Sequence, residues 1–173
     1  SWYQLQKVKR LDPDGEFSHA AGSRALHDSG LLSDIRHSSF VIPHSARAGI
    51  SFGTGLGGIA HAEAQHASFL DKGIRGVSPA LAFQIWGGSA HSNVAIEFGM
   101  QGPSTTNSNS CASGNVALID AARFIADGSA DVMIAGAAEC PLAPLTFAAF
   151  DHIHTMSRYK GDPPEHAMRP FHR

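Results

Sequence analysis

Gly102-Pro103-Ser104-Thr105-Thr106-Asn107-Ser108-Asn109-Ser110-Cys111-Ala112-Ser113-Gly114, running on into Asn115-Val116-Ala117-Leu118-Ile119, is the stretch on which the reading of this chain turns. Small and hydroxyl residues lead up to a single cysteine, and an apolar helix over residues 112–127 is expected to follow it. A cysteine at the first turn of a helix lies at the positive end of the macrodipole, beside backbone N–H groups that have no partner within the helix. Both stabilise thiolate, the nucleophilic form. Small neighbours leave space for a carbonyl to approach. The same position also suits a buried structural cysteine, because free cysteine is among the most buried residue types. Position alone does not choose between the two.

The helix itself is apolar nearly all round, with Val116, Leu118, Ile119, Phe124 and Ile125 interspersed with alanines. That composition predicts a core element covered on most sides. The thiol is then expected at the inner end of a central helix, where burial opposes the helix terminus by raising the thiol pKa.

Moving outward, helical pattern is read over 17–29, 59–70, 79–86 and 89–98, with Gly30, Gly73 and Gly99 as stops. Strands are read at 48–52, 104–110 and 131–135, the last (Asp131-Val132-Met133-Ile134-Ala135) of the apolar kind buried in a parallel sheet. The tail, with Pro163-Pro164 and Arg169-Pro170-Phe171, reads as loop-rich. Alternating strands and helices predict an α/β fold with parallel pairing.

The chain's 173 residues suffice for one domain with a core, and 43% apolar against 16% charged residues excludes a disordered segment. A formal net charge of −2 gives no global reason to expect nucleic acid. Two cysteines, Cys111 and Cys140, make no disulfide scaffold and suit a reducing compartment. No apolar run approaches about 20 residues, so no membrane span is expected. No signal or transit peptide is read in a chain that opens at Ser1. The expected location is the cytoplasm, or an organelle.

Gly53-x-Gly55-x-x-Gly58 matches the dinucleotide fingerprint letter by letter and is read between a strand and a helix. No second strand ending in an acidic residue follows, and Asp71 falls at the end of the helix. The dinucleotide-binding domain is therefore kept only as a minor alternative to a tight turn beside a buried site. Eleven histidines show no ligand spacing: His61 and His66 do not share a helix face, and His152-x-His154 has only Asp151 beside it. No cofactor and no metal is expected.

Several motifs in order carry a resemblance. Gly102-Pro103-Ser104, Cys111-Ala112-Ser113-Gly114, Ala130-Asp131-Val132-Met133-Ile134-Ala135-Gly136 with Glu139, and Val77-Ser78-Pro79, Phe98-Gly99, Thr155-Met156-Ser157 and Arg169-Pro170-Phe171 resemble the β-ketoacyl acyl-carrier-protein synthases. These are condensing enzymes of the thiolase superfamily, and the likeness is to the elongating synthase II type. It implies a thiolase-like layered α/β fold with a mixed or parallel sheet and a buried central helix. It also implies acyltransferase chemistry in fatty acid biosynthesis. Cys111 would take an acyl group as a thioester, and malonyl-carrier protein would lose CO₂ and attack it. The Cys111 N–H would be one oxyanion donor.

The resemblance further implies that Leu56 gates the acyl pocket, that Phe150 is an aromatic near it, and that Lys9, Arg10, Arg75 and Arg158 dock an acidic acyl carrier protein, acyl- or malonyl-loaded. It implies a homodimer through the strand before Cys111. Two positions depart from the family pattern. Asn109-Ser110 replaces Thr-Ala before the cysteine, and Gly136-Ala137-Ala138-Glu139 replaces Gly-Gly-Thr/Ser-Glu. The family's two catalytic histidines, its lysine and its opening strand find no match. Residues 1–173 thus read as one incomplete half, the N-terminal part of a ketoacyl synthase domain, inactive in condensation alone and exposing an apolar face. A non-catalytic partner subunit of the chain-length-factor type is the other reading.

Overall fold

A computed structural model describes residue 11 and residues 13–31, 45–169 and 171. The chain divides after Pro141 into two compact units. In the first, α1 (Pro13–Asp28), β1 (Ala48–Gly53), α2 (Ile59–Lys72), α3 (Ser89–Phe98), β2 (Ser104–Asn107), α4 (Ser113–Ala126) and β3 (Val132–Ala137) follow in order, and α5 (Pro144–His152) belongs to the second. Among the described residues no helix is long and apolar enough to cross a membrane.

The sheet has the order β2-β1-β3, and both pairings are parallel, with Ile50 opposite Ser104 and Ile134. A central parallel strand is covered on both faces, and every residue of β1 is buried. Its side chains alternate by size. Ala48 and Ile50 join Leu26, Val94, Phe98 and Met100 in the apolar core formed with α1 and α3. Gly49, Ser51 and Gly53 fall on the other face, toward α4, by the strand's two-residue period. There α4 buries Ser113, Ala117 and Ala121, a small-residue stripe at intervals of four. Small residues on both partners let helix and strand approach closely. A Cβ on Gly53 would come within 2.4 Å of the Ser113 backbone. At the opposite end of β1, Arg47 clamps Asp131 with two bonds of 2.6 Å and reaches the Gly128 carbonyl at 2.9 Å. Hydrogen bonding to Asp131 raises the Arg47 pKa.

The α/β class and the parallel pairing stand as expected, and several boundaries change. Helix α1 begins at Pro13 rather than at 17, because proline suits the first helical turn and Asp14 and Glu16 complement its dipole. Residues 79–86 form only a 3₁₀ turn, Leu81–Phe83, since the backbone is spent on tight i to i+3 bonds such as Leu81 N–H to the Ser78 carbonyl. Helix α3 ends where Gly99 takes a left-handed conformation, φ 63°. Strand β2 stops at Asn107 instead of 110. In the second unit the loop-rich tail also contains α5, started by Pro144 at its first turn.

The expectation that the central helix is covered on most sides is corrected. Leu118, Ile119 and Ile125 are exposed, because the described sheet covers one side of α4 only.

Candidate active site

The segment from Asn107 to Ser113 is not regular structure, and its polar residues explain why. Asn107 Nδ2 donates to the Ser113 carbonyl at 3.1 Å and to the Phe52 carbonyl at 3.3 Å, turning the chain at the end of β2. Asn109 Nδ2 donates to Asn107 Oδ1 at 3.0 Å. Short polar side chains offer the backbone an alternative to the ladder, so the strand gives way to a turn. Ser110 then takes φ 53°, a left-handed state that non-glycine residues occupy only when their surroundings hold it. A 3₁₀ turn, Ser110–Ala112, carries Cys111 directly into α4. The helix thus begins with a tight turn, and its first α-helical residue is Ser113, one residue later than expected.

Ser113 is the hub of this turn. It is 2% exposed. Its Oγ accepts the Asn109 N–H at 2.8 Å and shares its own proton between the Ser110 carbonyl at 2.7 Å and the Thr54 carbonyl at 3.3 Å. Upstream, Ser108 Oγ donates to the Gly55 carbonyl at 2.9 Å. The thiol-bearing turn is therefore tied on both sides of Cys111 to the segment that follows β1. That segment holds Leu56, so the structure brings the expected nucleophile's turn and the expected gating residue's loop together.

Cys111 itself is exposed, against the expectation of a thiol at a dry inner end. The described residues leave the thiol uncovered, as they leave the outer side of α4, although Ser113 two residues on is buried. Cys140 is half-buried, also as a free thiol. Arg75 lies exposed in the 3₁₀ turn Gly73–Gly76 after α2. Phe150 on α5 and Arg158 belong to the second unit, and both are exposed. Lys9 and Arg10 lie outside the described residues.

The glycine turn after β1 is organised by a residue the site reading of the sequence left out. One carboxylate oxygen of Glu139 accepts the Gly55 N–H, the Leu56 N–H at 3.1 Å and the Thr54 hydroxyl at 3.3 Å. Thr54 Oγ1 in turn accepts the Gly57 N–H at 3.0 Å. The donors that a dinucleotide phosphate would need are occupied from within the chain. Chain order argues the same way, since α2 leads through 3₁₀ turns to α3 and no strand follows it before β2. Only the dense hydroxyl and amide composition of 104–113 signalled such a network in the sequence.

Half-buried His91 contacts the Thr106 hydroxyl on β2, and burial lowers its pKa. Among the described residues, no group of three or more His, Cys, Asp or Glu is placed to hold a metal.

A parallel α/β layer with a cysteine in the turn that opens its central helix defines a thiolase-like domain. The chain belongs to the β-ketoacyl synthase family: the model of that family's N-terminal domain matches residues 2–172. It is 32% identical over 166 residues to the 3-oxoacyl-(acyl-carrier-protein) synthase 2 of Synechocystis sp. strain PCC 6803, an alignment covering 96% of this chain and 38% of that protein. Among solved structures it is similar to one chain of a complex described as a type II PKS acyl-carrier protein with its ketosynthase bound to the hexaketide (TM-score 0.77, 26% identity, 86% of this chain and 41% of that one). It is also similar to the ishigamide ketosynthase/chain length factor (TM-score 0.72, 25% identity, 84% and 35%). The chain thus spans well under half the length of the relatives it matches.

Proposed function

We propose that this chain is the nucleophile-bearing part of a longer condensing enzyme, with Cys111 as the acyl-accepting thiol. The observation that carries the reading is the turn at Cys111, tied through Ser108 and Ser113 to the loop that holds Leu56. The Cys111 thiolate would attack the carbonyl of an acyl-carrier thioester, and the carrier's thiolate would leave. Malonyl-carrier protein would then lose CO₂. Its carbanion would attack the new thioester, forming the C–C bond and breaking the C–S bond, which releases 3-oxoacyl-carrier protein and the Cys111 thiolate. The Cys111 N–H would donate to the oxyanion in both additions. Leu56 and Phe150 would line the acyl pocket. Lys9, Arg10, Arg75 and Arg158 would attract the acidic carrier. The exposure of Arg75 and Arg158 is in keeping with that role.

Strand β2 lies at an edge of the described sheet, which supports homodimerisation through it. The groups that handle malonyl decarboxylation would come from the remainder of the longer protein, which would also cover the outer side of α4.

Site-resolved mass spectrometry after incubation with an acyl-carrier thioester tests the reading. Cys111 should gain the acyl mass, and Cys111→Ala should abolish the gain. Acylation at Cys140 alone would overturn it. The likeness to a ketosynthase/chain length factor pair supports a second reading, a non-catalytic partner subunit. Co-purification of a complete synthase with a chain that takes no acyl group would favour that reading, although the retained Cys111 argues against it.

A further inference from the structure

Glu139 takes no part in the acyl transfer described above, yet its carboxylate accepts three hydrogen bonds beside the thiol-bearing turn. Its Oε2 accepts from the Thr54 hydroxyl, the Gly55 N–H and the Leu56 N–H. Consecutive N–H groups in a glycine turn make a concavity that favours an anion. Here the loop after β3 brings that anion from 83 residues away in sequence. Because two of its three partners are backbone groups, the carboxylate sets the course of the main chain.

The main chain it sets is the one that braces Cys111. Within the Thr54–Gly55 segment, the Gly55 carbonyl accepts Ser108 Oγ at 2.9 Å and the Thr54 carbonyl accepts Ser113 Oγ at 3.3 Å. The Thr54 N–H donates to the Asn107 carbonyl at 3.1 Å. The point where Gly55 would carry a Cβ lies 2.9 Å from Glu139 Oε2 and 3.6 Å from Ser110 Cα. The carboxylate and the thiol-bearing turn therefore both pack against one glycine. Ser110, held at φ 53°, needs support of this kind from outside its own turn.

The geometry points to Glu139 as a positioning residue: by filling the anion cradle of Thr54 to Leu56, it fixes the turn that presents Cys111 and the backbone of the pocket residue Leu56. Its consequence for catalysis rests on Cys111 being the acyl-accepting thiol, while its structural part does not.

Amide hydrogen exchange on the full chain tests it, comparing the wild type with E139A and E139Q. Removing the acceptor in E139A should speed exchange about tenfold in segments 53–58 and 107–112 and leave α3 unchanged. E139Q keeps an acceptor oxygen but loses the charge, which about halves the strength of such bonds. It should speed both segments by about two- to threefold, a graded response that loss of folding does not produce. If E139A exchanges faster everywhere, E139Q decides alone. Unchanged exchange in 107–112 while 53–58 responds makes Glu139 a local clasp and overturns the proposal. Acylation of Cys111 should slow about tenfold in E139A with little change in KM, in proportion to the loosened turn. A wild-type Cys111 that takes no acyl group counts against the proposed function, and the exchange result still decides the role of Glu139.

Discussion

Gly53 and Ser113 meet backbone to backbone: a Cβ built on Gly53 would lie 2.4 Å from both the carbonyl carbon and the carbonyl oxygen of Ser113. This contact sets how deeply the start of α4 sits against the end of β1, and so where the Cys111 turn begins. Main-chain atoms cannot swing aside as the tip of a side chain can. Gly53→Ala should therefore push the two elements apart and destabilise the fold by about 1–3 kcal/mol. A urea midpoint unchanged from the wild type would show that the helix can retreat without cost.

Ser113→Ala should cost about 1–3 kcal/mol, because its buried hydroxyl makes three hydrogen bonds, each contributing on the order of 1 kcal/mol. The Asn109 N–H loses its acceptor, and the Ser110 and Thr54 carbonyls lose a donor. The disturbance lies next to the thiol, so the ratio of Cys111 to Cys140 alkylation rates should change along with the melting temperature. A stability loss with an unaltered ratio would confine Ser113 to folding.

Mild acid should weaken the fold through His91. Burial lowers the pKa of its imidazole below the ordinary 6.5. The unfolded chain therefore binds that proton more readily than the folded one. Stability is full above about pH 6.5 and falls as the pH drops from there through the folded pKa. In His91→Gln that part of the slope should vanish. Melting temperatures between pH 8 and 5 in wild type and variant measure it, and parallel curves would remove His91 as the source.

The exposed side of α4 should behave as an adhesive surface in the isolated chain. Leu118 is 55% and Ile119 51% exposed. Exchanging both for lysine should reduce self-association in light scattering, with each change shifting stability by no more than about 0.5 kcal/mol. In a longer parent protein that covers this helix, the same pair should instead destabilise. Unfolding of the isolated variant would mean that the two side chains are packed after all.

The sequence by itself determined the local elements and their pairing class. Helix α3 was legible to the residue at both ends, because Gly88 and Gly99 bracket an uninterrupted apolar period. The alternation of strands and helices predicted the parallel pairing that the described sheet shows. For the candidate site, several motifs in a fixed order marked Cys111 and the glycine turn at Leu56, and the fold brings those two segments side by side. Tertiary structure decided the rest. Nothing local tells that Glu139 reaches Gly55, since a loop can deliver a carboxylate from any distance along the chain. The same holds for Ser113, whose serine reads as an ordinary helix starter until Thr54 and Asn109 are brought to it. The apolar circumference of α4 predicted cover on most sides, but only the stripe of Ser113, Ala117 and Ala121 is buried. How much is buried depends on which surfaces surround the helix, and a residue pattern records only the need for cover, whereas packing determines what provides it.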